Sequence, residues 1–192
     1  MGNSCVFSCW NNRVAVVDKS IKNNVLVKTD KFDIEQYNPM VLGFGVSSQA
    51  FKLNINNHIV TCKKVKKKHF DTAYKEIKVL REIGHEKYLP IFFKAIETRN
   101  NLYIMYEYLD GIDLMQMIQE PTYDVTCNKN VSIIIKEVTL GLYSLFKHNY
   151  VHLDVKFENI IITHITSQHK KNKIFFKKKL IYFQTAYKIA TF

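Results

Sequence analysis

Separate segments of the 192-residue sequence carry groups that suit phosphate chemistry. Gly43-Phe44-Gly45 is a G-x-G turn, and such a turn lets backbone N–H groups approach a phosphate without a Cβ in the way. Lys63 follows an apolar run, and Glu76 lies in a stretch with helical spacing. The segment 152–159, His-Leu-Asp-Val-Lys-Phe-Glu-Asn, adds a carboxylate, an ammonium and an amide. Taken singly, each segment also fits an ordinary solvated strand, surface acid or polar loop.

The periodicity of apolar residues predicts the elements that hold these groups. The predicted strands are 41–45, 50–54, 58–65, 90–97, 102–108 and 160–162, and the predicted helices are 70–83, 112–119 and 131–148. Ile55-Asn56-Asn57 separates two of the strands and predicts a hairpin. The apolar face expected on the longest helix consists of Ile134, Ile135, Val138, Leu142 and Leu145.

The order of these segments resembles that of protein kinases of the serine/threonine type. Segment 152–159 is similar to the catalytic loop H-R-D-x-K-x-x-N, and a Gly-rich turn, a strand lysine, a helix glutamate and a hinge precede it. The resemblance implies an α+β fold with a five-stranded antiparallel N-lobe that includes one helix, and an incomplete helical C-lobe. We therefore expect an N-terminal arm at 1–37, an N-lobe at 38–110 and a C-lobe with a basic tail at 111–192.

The resemblance also implies a site for ATP. Its residues would be Leu42, Gly43, Gly45, Ala50, Lys63, Glu76, Glu107, Leu109 and Asp113. Lys63 would hold the α- and β-phosphates and pair with Glu76. The backbones of Glu107 and Leu109 would meet the adenine edge, and Asp113 would reach the ribose.

The resemblance implies catalytic roles for three further residues and shows that one magnesium ligand of the family is missing. Asp154 would accept the proton of the substrate hydroxyl, Lys156 would steady the γ-phosphate, and Asn159 would bind magnesium. The family's other magnesium ligand is the Asp of D-F-G, where Tyr182 stands here; an alternative alignment runs through Ile174-Phe175-Phe176. No Asp or Glu follows Glu158, so neither alignment supplies that carboxylate. Because a neutral Tyr or Phe cannot replace a hard oxygen ligand, we expect an incomplete magnesium site and impaired catalysis.

Two other departures from the family pattern concern its regulation by phosphorylation and the length of its C-lobe. Leu153 stands where the family has an Arg that grips a phosphorylated activation loop, so we expect no such switch. The sequence ends at Phe192, where the activation segment would begin, so we expect a truncated C-lobe whose long helix exposes an apolar face.

Composition excludes several other classes of protein. Hydrophobic residues make up 47% of the chain, which is enough to build a core. The four cysteines include no C-x-x-C pair, which argues against a disulfide scaffold or a zinc site. We find no transmembrane run and no secretory signal, so we expect an intracellular protein. The net charge of +11 is concentrated in lysines after Glu158, and compositional bias explains it better than nucleic-acid binding does.

The N-terminal sequence predicts lipid attachment and a location at a membrane. Met1-Gly2-Asn3-Ser4-Cys5 matches an N-myristoylation start at Gly2, with Cys5 as a palmitoylation site. Val6 departs from the usual Ser or Thr, and a chance Met-Gly start is the alternative. We expect the protein in the cytoplasm or at the cytoplasmic face of a membrane.

The favoured function is that of a kinase-like pseudokinase that binds ATP and regulates or decoys kinases by binding a full-length kinase or its substrate. One alternative is an active serine/threonine kinase. Others are a basic binder of nucleic acid or anionic membranes, and a chain without a stable fold.

Overall fold

The computed structural model describes residues 26–121, 123, 127–168, 173–181 and 187–188. The strands are β1 (Leu26–Lys28), β2 (Met40–Phe44), β3 (Ser48–Ile55), β4 (His58–Lys66), β5 (Phe92–Glu97), β6 (Asn101–Glu107), β7 (Gly111–Asp113), β8 (Tyr150–Val151), β9 (Ile160–Gln168), β10 (Lys173–Ile181) and β11 (Tyr187–Lys188). The α-helices are α1 (Phe70–Ile83), α2 (Leu114–Gln119) and α3 (Asn128–Lys147), and 3₁₀ turns lie at Glu35–Tyr37, Lys67–His69 and Phe157–Asn159.

The described residues form two compact units. The first comprises 26–67 and 93–106, and the second comprises 68–92 and the residues from 107 onward. Helix α1, which we expected within the N-lobe, belongs to the second unit. The predicted division at 37/38 and 110/111 stays a prediction.

A six-stranded sheet in the order β1-β5-β6-β4-β3-β2 contains the strands of the first unit. The pairs β2–β3 and β3–β4 are antiparallel. Asn56 and Asn57 join β3 to β4 with φ values of 50° and 64°. Positive φ at both central residues of a two-residue loop matches the twist of the flanking strands, so the predicted hairpin is confirmed.

The first strand of that sheet was not predicted. β1 pairs in parallel with β5, with Leu26 opposite Ala95. Residues after β1 also pack on this sheet. Ile34 is only 3% exposed, and the Phe32 ring meets the Tyr103 ring of β6 edge-on at 4.8 Å between centroids. The described part of the segment expected as an arm therefore packs on the first unit.

Helices α1 and α3 of the second unit carry two apolar clusters. The first consists of Val79, Ile83, Leu89, Leu145 and Tyr150, with Val138 and Leu142 packed against it. The second consists of Leu114, Met117, Ile134, Ile160 and Ile162. Helix α1 has the predicted bounds, whereas α3 begins at Asn128, before the predicted residue 131.

The apolar face predicted for α3 needs one correction. Ile134 and Leu145 are buried, but Ile135 is 60% exposed. Ile135 lies about 100° round the helix from Ile134, which places it at the edge of the predicted stripe, where it is exposed to solvent. The large apolar side chains exposed on α3 are Val131, Ile135, Tyr143 and Phe146.

The remaining strands form small sheets of the second unit. β9 pairs with both β10 and β7 in antiparallel fashion, and β8 pairs with β11. β9 extends well beyond the predicted 160–162, because β10 gives it a partner along its length. Among the residues that the structure describes, no helix is both long and apolar enough to cross a bilayer.

Candidate functional site

The G-x-G turn joins β2 to β3 in the first unit. The Gly45 N–H donates to the Ser48 carbonyl at 2.8 Å, which closes the turn. A Cβ added at Gly43 would meet no atom within 4 Å. Phe44 is 79% exposed, so the predicted phosphate-binding backbone lies on an open loop.

Three predicted residues line up across β2, β3 and β4. Gly43 lies opposite Ala50, and Ala50 lies opposite Lys63. Residues directly opposite in antiparallel strands project from the same face, with strands about 4.8 Å apart, so this row spans about 10 Å. Lys63 is only 6% exposed. The first unit therefore places the lysine and the glycine turn where both can face one anionic group.

Leu42 lies beside this row at an irregularity of the ladder. The register of β2 against β3 shifts between Val41 and Gly43, and Leu42 is 44% exposed. Such a bulge re-aims side chains locally. The role expected for Leu42 against the nucleotide stays a prediction.

Glu76 lies on α1 and is only 5% exposed. A buried carboxylate is costly unless it is paired and hydrogen-bonded, so its burial separates it from an ordinary surface acid. Lys63 belongs to the first unit and Glu76 to the second. Their pairing stays a prediction.

The hinge segment is held through Glu107. Its N–H donates to the Ile91 carbonyl at 2.8 Å, and its Oε2 accepts from the Ile91 N–H at 3.5 Å. Because the Glu107 N–H already donates to Ile91, the predicted contact of the Glu107 backbone with adenine would be made by its carbonyl oxygen. Leu109 follows in a half-buried position after β6 ends.

Asp113 serves first as a helix cap. Its Oδ1 accepts from the Gln116 N–H at 2.8 Å, which satisfies one of the unpaired donors at the start of α2. This cap explains why the helix begins at Leu114 rather than at the predicted residue 112. A carboxylate can accept further hydrogen bonds, so the predicted contact with a ribose stays compatible with capping.

The predicted catalytic residues come together in one loop of the second unit. The Asp154 carboxylate lies 3.2 Å from the Lys156 Nζ, and its Oδ2 accepts from the Asn159 Nδ2 at 3.1 Å. The same Nδ2 donates to the Asp154 carbonyl at 2.8 Å. Because the Asn159 nitrogen is used in this way, Oδ1 is the atom of its amide that a cation could use.

Two neighbours shape that loop, and we predicted a structural role for neither. His152 is 3% exposed, and its Nδ1 accepts from the Asp154 N–H at 3.1 Å. Leu153 adopts a φ of 50°, which is unusual for a branched residue and turns its side chain out to 70% exposure. The sequence signal for His152 was its place as the first residue of the motif at 152–159.

Three predicted residues lie outside the described part of the chain: Gly2, Cys5 and Tyr182. Within the described part, no group of three or more His, Cys, Asp or Glu side chains could hold a metal ion. Asp154 and Asn159 are thus the only predicted oxygen donors that the described loop brings together.

Comparison with known proteins agrees with this arrangement. A family model described as "Protein kinase domain" matches residues 38–188. The chain is 31% identical to cyclin-dependent kinase 12 of Drosophila melanogaster over 137 residues, which cover 63% of this chain and 12% of the relative. It is 25% identical to myosin light chain kinase 3 of Rattus norvegicus over 159 residues, which cover 79% of this chain and 19% of the relative.

A third relative is a mitosis inhibitor protein kinase of Candida albicans. It is 31% identical over 160 residues, which cover 71% of this chain and 14% of the relative. The chain thus spans less than a fifth of the length of each of these three relatives.

Proposed function

The chain belongs to the protein kinase family, and from that premise we propose that it binds ATP through its glycine turn and Lys63. The observation that carries this proposal is the row of Gly43, Ala50 and Lys63 across three paired strands. A glycine backbone and a buried lysine on one face supply N–H donors and a positive charge, which together favour a phosphate chain.

We propose further that phosphoryl transfer is impaired. The described catalytic loop offers one amide oxygen of Asn159, and its Asp154 carboxylate already bonds to Lys156 and Asn159. Magnesium prefers near-octahedral oxygen coordination and takes one or two carboxylates in kinase sites, so this donor set does not fit it. Tyr182 stands where the resemblance would place the Asp of D-F-G, which supports the same proposal.

A binding experiment with two lysine variants tests the nucleotide proposal. We expect ATP to raise the melting temperature of the protein to the same extent with and without magnesium. Lys63→Met should weaken ATP binding by about tenfold or more, since a charged hydrogen bond to phosphate is lost. Lys66→Met, at an exposed position of the same strand, is the matched control and should bind normally. Equal affinity of the two variants would refute the role of Lys63.

An active serine/threonine kinase is the second candidate. The contacts among Asp154, Lys156 and Asn159 favour it, because they preserve a base and a cation side by side. Purified protein, Mg-ATP and a generic protein substrate would decide. Phosphorylation above the level of an Asp154→Asn variant would establish this candidate and overturn the proposed impairment.

As a partner we propose a full-length kinase or its substrate, which this chain would bind as a regulator or decoy. The similarity to kinases at 25–31% identity supports the idea. Proximity labelling in cells, compared with an unrelated basic protein of similar size, should enrich a kinase or a kinase substrate. Enrichment of neither would argue against this role.

We also propose an intracellular location, with acylation of Gly2 and Cys5 at the cytoplasmic face of a membrane. Two lipid chains anchor a protein stably where a single myristoyl chain does not. Metabolic labelling with a myristate analogue should mark the natural protein and spare Gly2→Ala. Equal labelling of both would end the proposal.

A further inference from the structure

Two acidic residues, Glu82 near the end of α1 and Glu86 just after it, contact residues at the end of α3 and in β8 within the second unit. The Glu82 carboxylate accepts from the Tyr150 hydroxyl. The Glu86 Oε2 accepts from the Ser144 hydroxyl at 3.2 Å, and its Oε1 lies 3.4 Å from the Lys147 Nζ. We call this set of five residues the carboxylate clamp.

An apolar layer lies beside the clamp. The Tyr150 ring is 2% exposed and shares a cluster with Val79 and Ile83 of α1 and Leu145 of α3. Tyr150 therefore contributes to both layers, because its ring packs in the cluster while its hydroxyl reaches Glu82. This double use ties the end of α1 to β8, the strand that follows α3.

The charges of the clamp are arranged to persist at neutral pH. Burial raises the pKa of Glu86, but hydrogen bonds from Lys147, Ser144 and His148 outweigh it and hold that pKa below its usual value. Burial, followed by the nearby Glu82, raises the pKa of Tyr150 to about 12. At neutral pH the carboxylate of Glu86 is thus ionised, and the tyrosine keeps the proton that it donates.

We propose that Glu82 and Glu86 are positioning residues that fix α1, and with it the orientation of Glu76. Glu76 lies on the same helix as Glu82, about 9 Å away at a rise of 1.5 Å per residue. An α-helix of this length moves as one body, so freedom at its end becomes freedom at Glu76. The nucleotide consequence rests on the proposed function.

The clamp also suits a chain without the family's switch. Leu153 replaces the Arg that would grip a phosphorylated activation loop. A helix held by its own carboxylates needs no such signal to keep its place. We therefore infer that α1 is held constitutively.

The test combines a double variant, Glu82→Gln with Glu86→Gln, and a matched control. Glu97→Gln is that control, since Glu97 also forms an ion pair, with Lys28 at 3.3 Å, but lies in the first unit. Hydrogen exchange of the α1 amides should speed up about tenfold or more in the double variant, as expected for lost charged hydrogen bonds. Amides of β3 and β4 should keep their protection, and the control should match the unaltered protein.

Nucleotide affinity supplies the second readout. The double variant should bind ATP about threefold to tenfold more weakly, because Glu76 is no longer held. Unchanged exchange in α1 would overturn the clamp. Faster exchange with unchanged ATP affinity would overturn the positioning role. If the unaltered protein binds no ATP, the proposed function fails and the positioning role fails with it, while exchange still decides whether the clamp holds α1.

Discussion

Replacement of Gly111 by alanine should destabilise the second unit through a clash that no side chain can relieve. Gly111 begins β7 and pairs with Thr163 of β9. An added Cβ would come closest to the Ile162 carbonyl oxygen, well inside van der Waals distance, and would lie 2.8 Å from the carbonyl carbon. Both atoms belong to the backbone, so β7 and β9 must separate to admit the methyl group.

Two opposing effects set the magnitude. Overpacking of this kind costs about 1–3 kcal/mol, and backbone neighbours place the cost near the upper end. A Gly→Ala change also removes freedom from the unfolded chain, which stabilises by about 0.4–1 kcal/mol. The clash outweighs the unfolded-state effect, so the free energy of unfolding falls by about 2 kcal/mol. For a chain of this length that lowers the melting temperature by about 4–8 °C.

Gly43→Ala is the matched control for this prediction. Gly43 also lies in a strand, but an added Cβ would meet nothing within 4 Å. Only the unfolded-state effect then remains, so the melting temperature should stay the same or rise slightly. Thermal unfolding followed by circular dichroism measures both variants. A Gly111→Ala protein that melts at or above the unaltered protein would refute the close approach of β7 and β9.

The remaining predictions concern α1 and α3. Leu145→Ala should cost about 3 kcal/mol in unfolding free energy because it opens a cavity in a buried cluster, whereas Ile135→Ala at an exposed position of the same helix should cost under about 0.5 kcal/mol; equal losses in urea titrations would contradict the packing. Gly84→Ala should cost about 1–2 kcal/mol in the same assay, since Gly84 ends α1 with a φ of 68°, and a neutral result would count against that backbone. Folded Tyr150 has a pKa of about 12 against the usual 10.0 for tyrosine, so its contribution to stability is fully present below pH 10 and is lost as the pH rises toward 12. Tyr150→Phe should reduce that alkaline loss in the free energy of unfolding, and an unchanged loss would exclude this residue as its source.

Local patterns predicted most of the elements of the fold. The bounds of α1 and the hairpin at Asn56 and Asn57 follow from periodicity and from turn chemistry, which act between near neighbours. Ile135 lies at the edge of the stripe that the 3.6-residue period predicts, so its exposure is decided by what packs on the helix and not by the period. By contrast, β1 is stabilised by pairing with β5, which is distant in sequence. Its three residues are too few to show the alternating pattern that predicts a strand.

Contacts of the candidate site could likewise be predicted where the residues are close in sequence, and not where they are distant. Asp154, Lys156 and Asn159 meet within one loop, so a sequence motif suffices to predict their contact. The bond between Ser144 and Glu86 joins residues 58 apart in sequence, and that between Tyr150 and Glu82 joins residues 68 apart. These four residues are of three types, Ser, Glu and Tyr, none of which marks a clamp by itself, so only the packing of the second unit reveals it.

The catalytic loop is held by contacts among its own residues. Asp154 is held by His152, Lys156 and Asn159, all of which lie within segment 152–159. The same contacts would therefore persist in a protein that had lost its other magnesium ligand. Impaired phosphoryl transfer is therefore compatible with an intact loop. ATP binding by the Lys63 variant and phosphoryl transfer by the Asp154 variant measure the two properties separately.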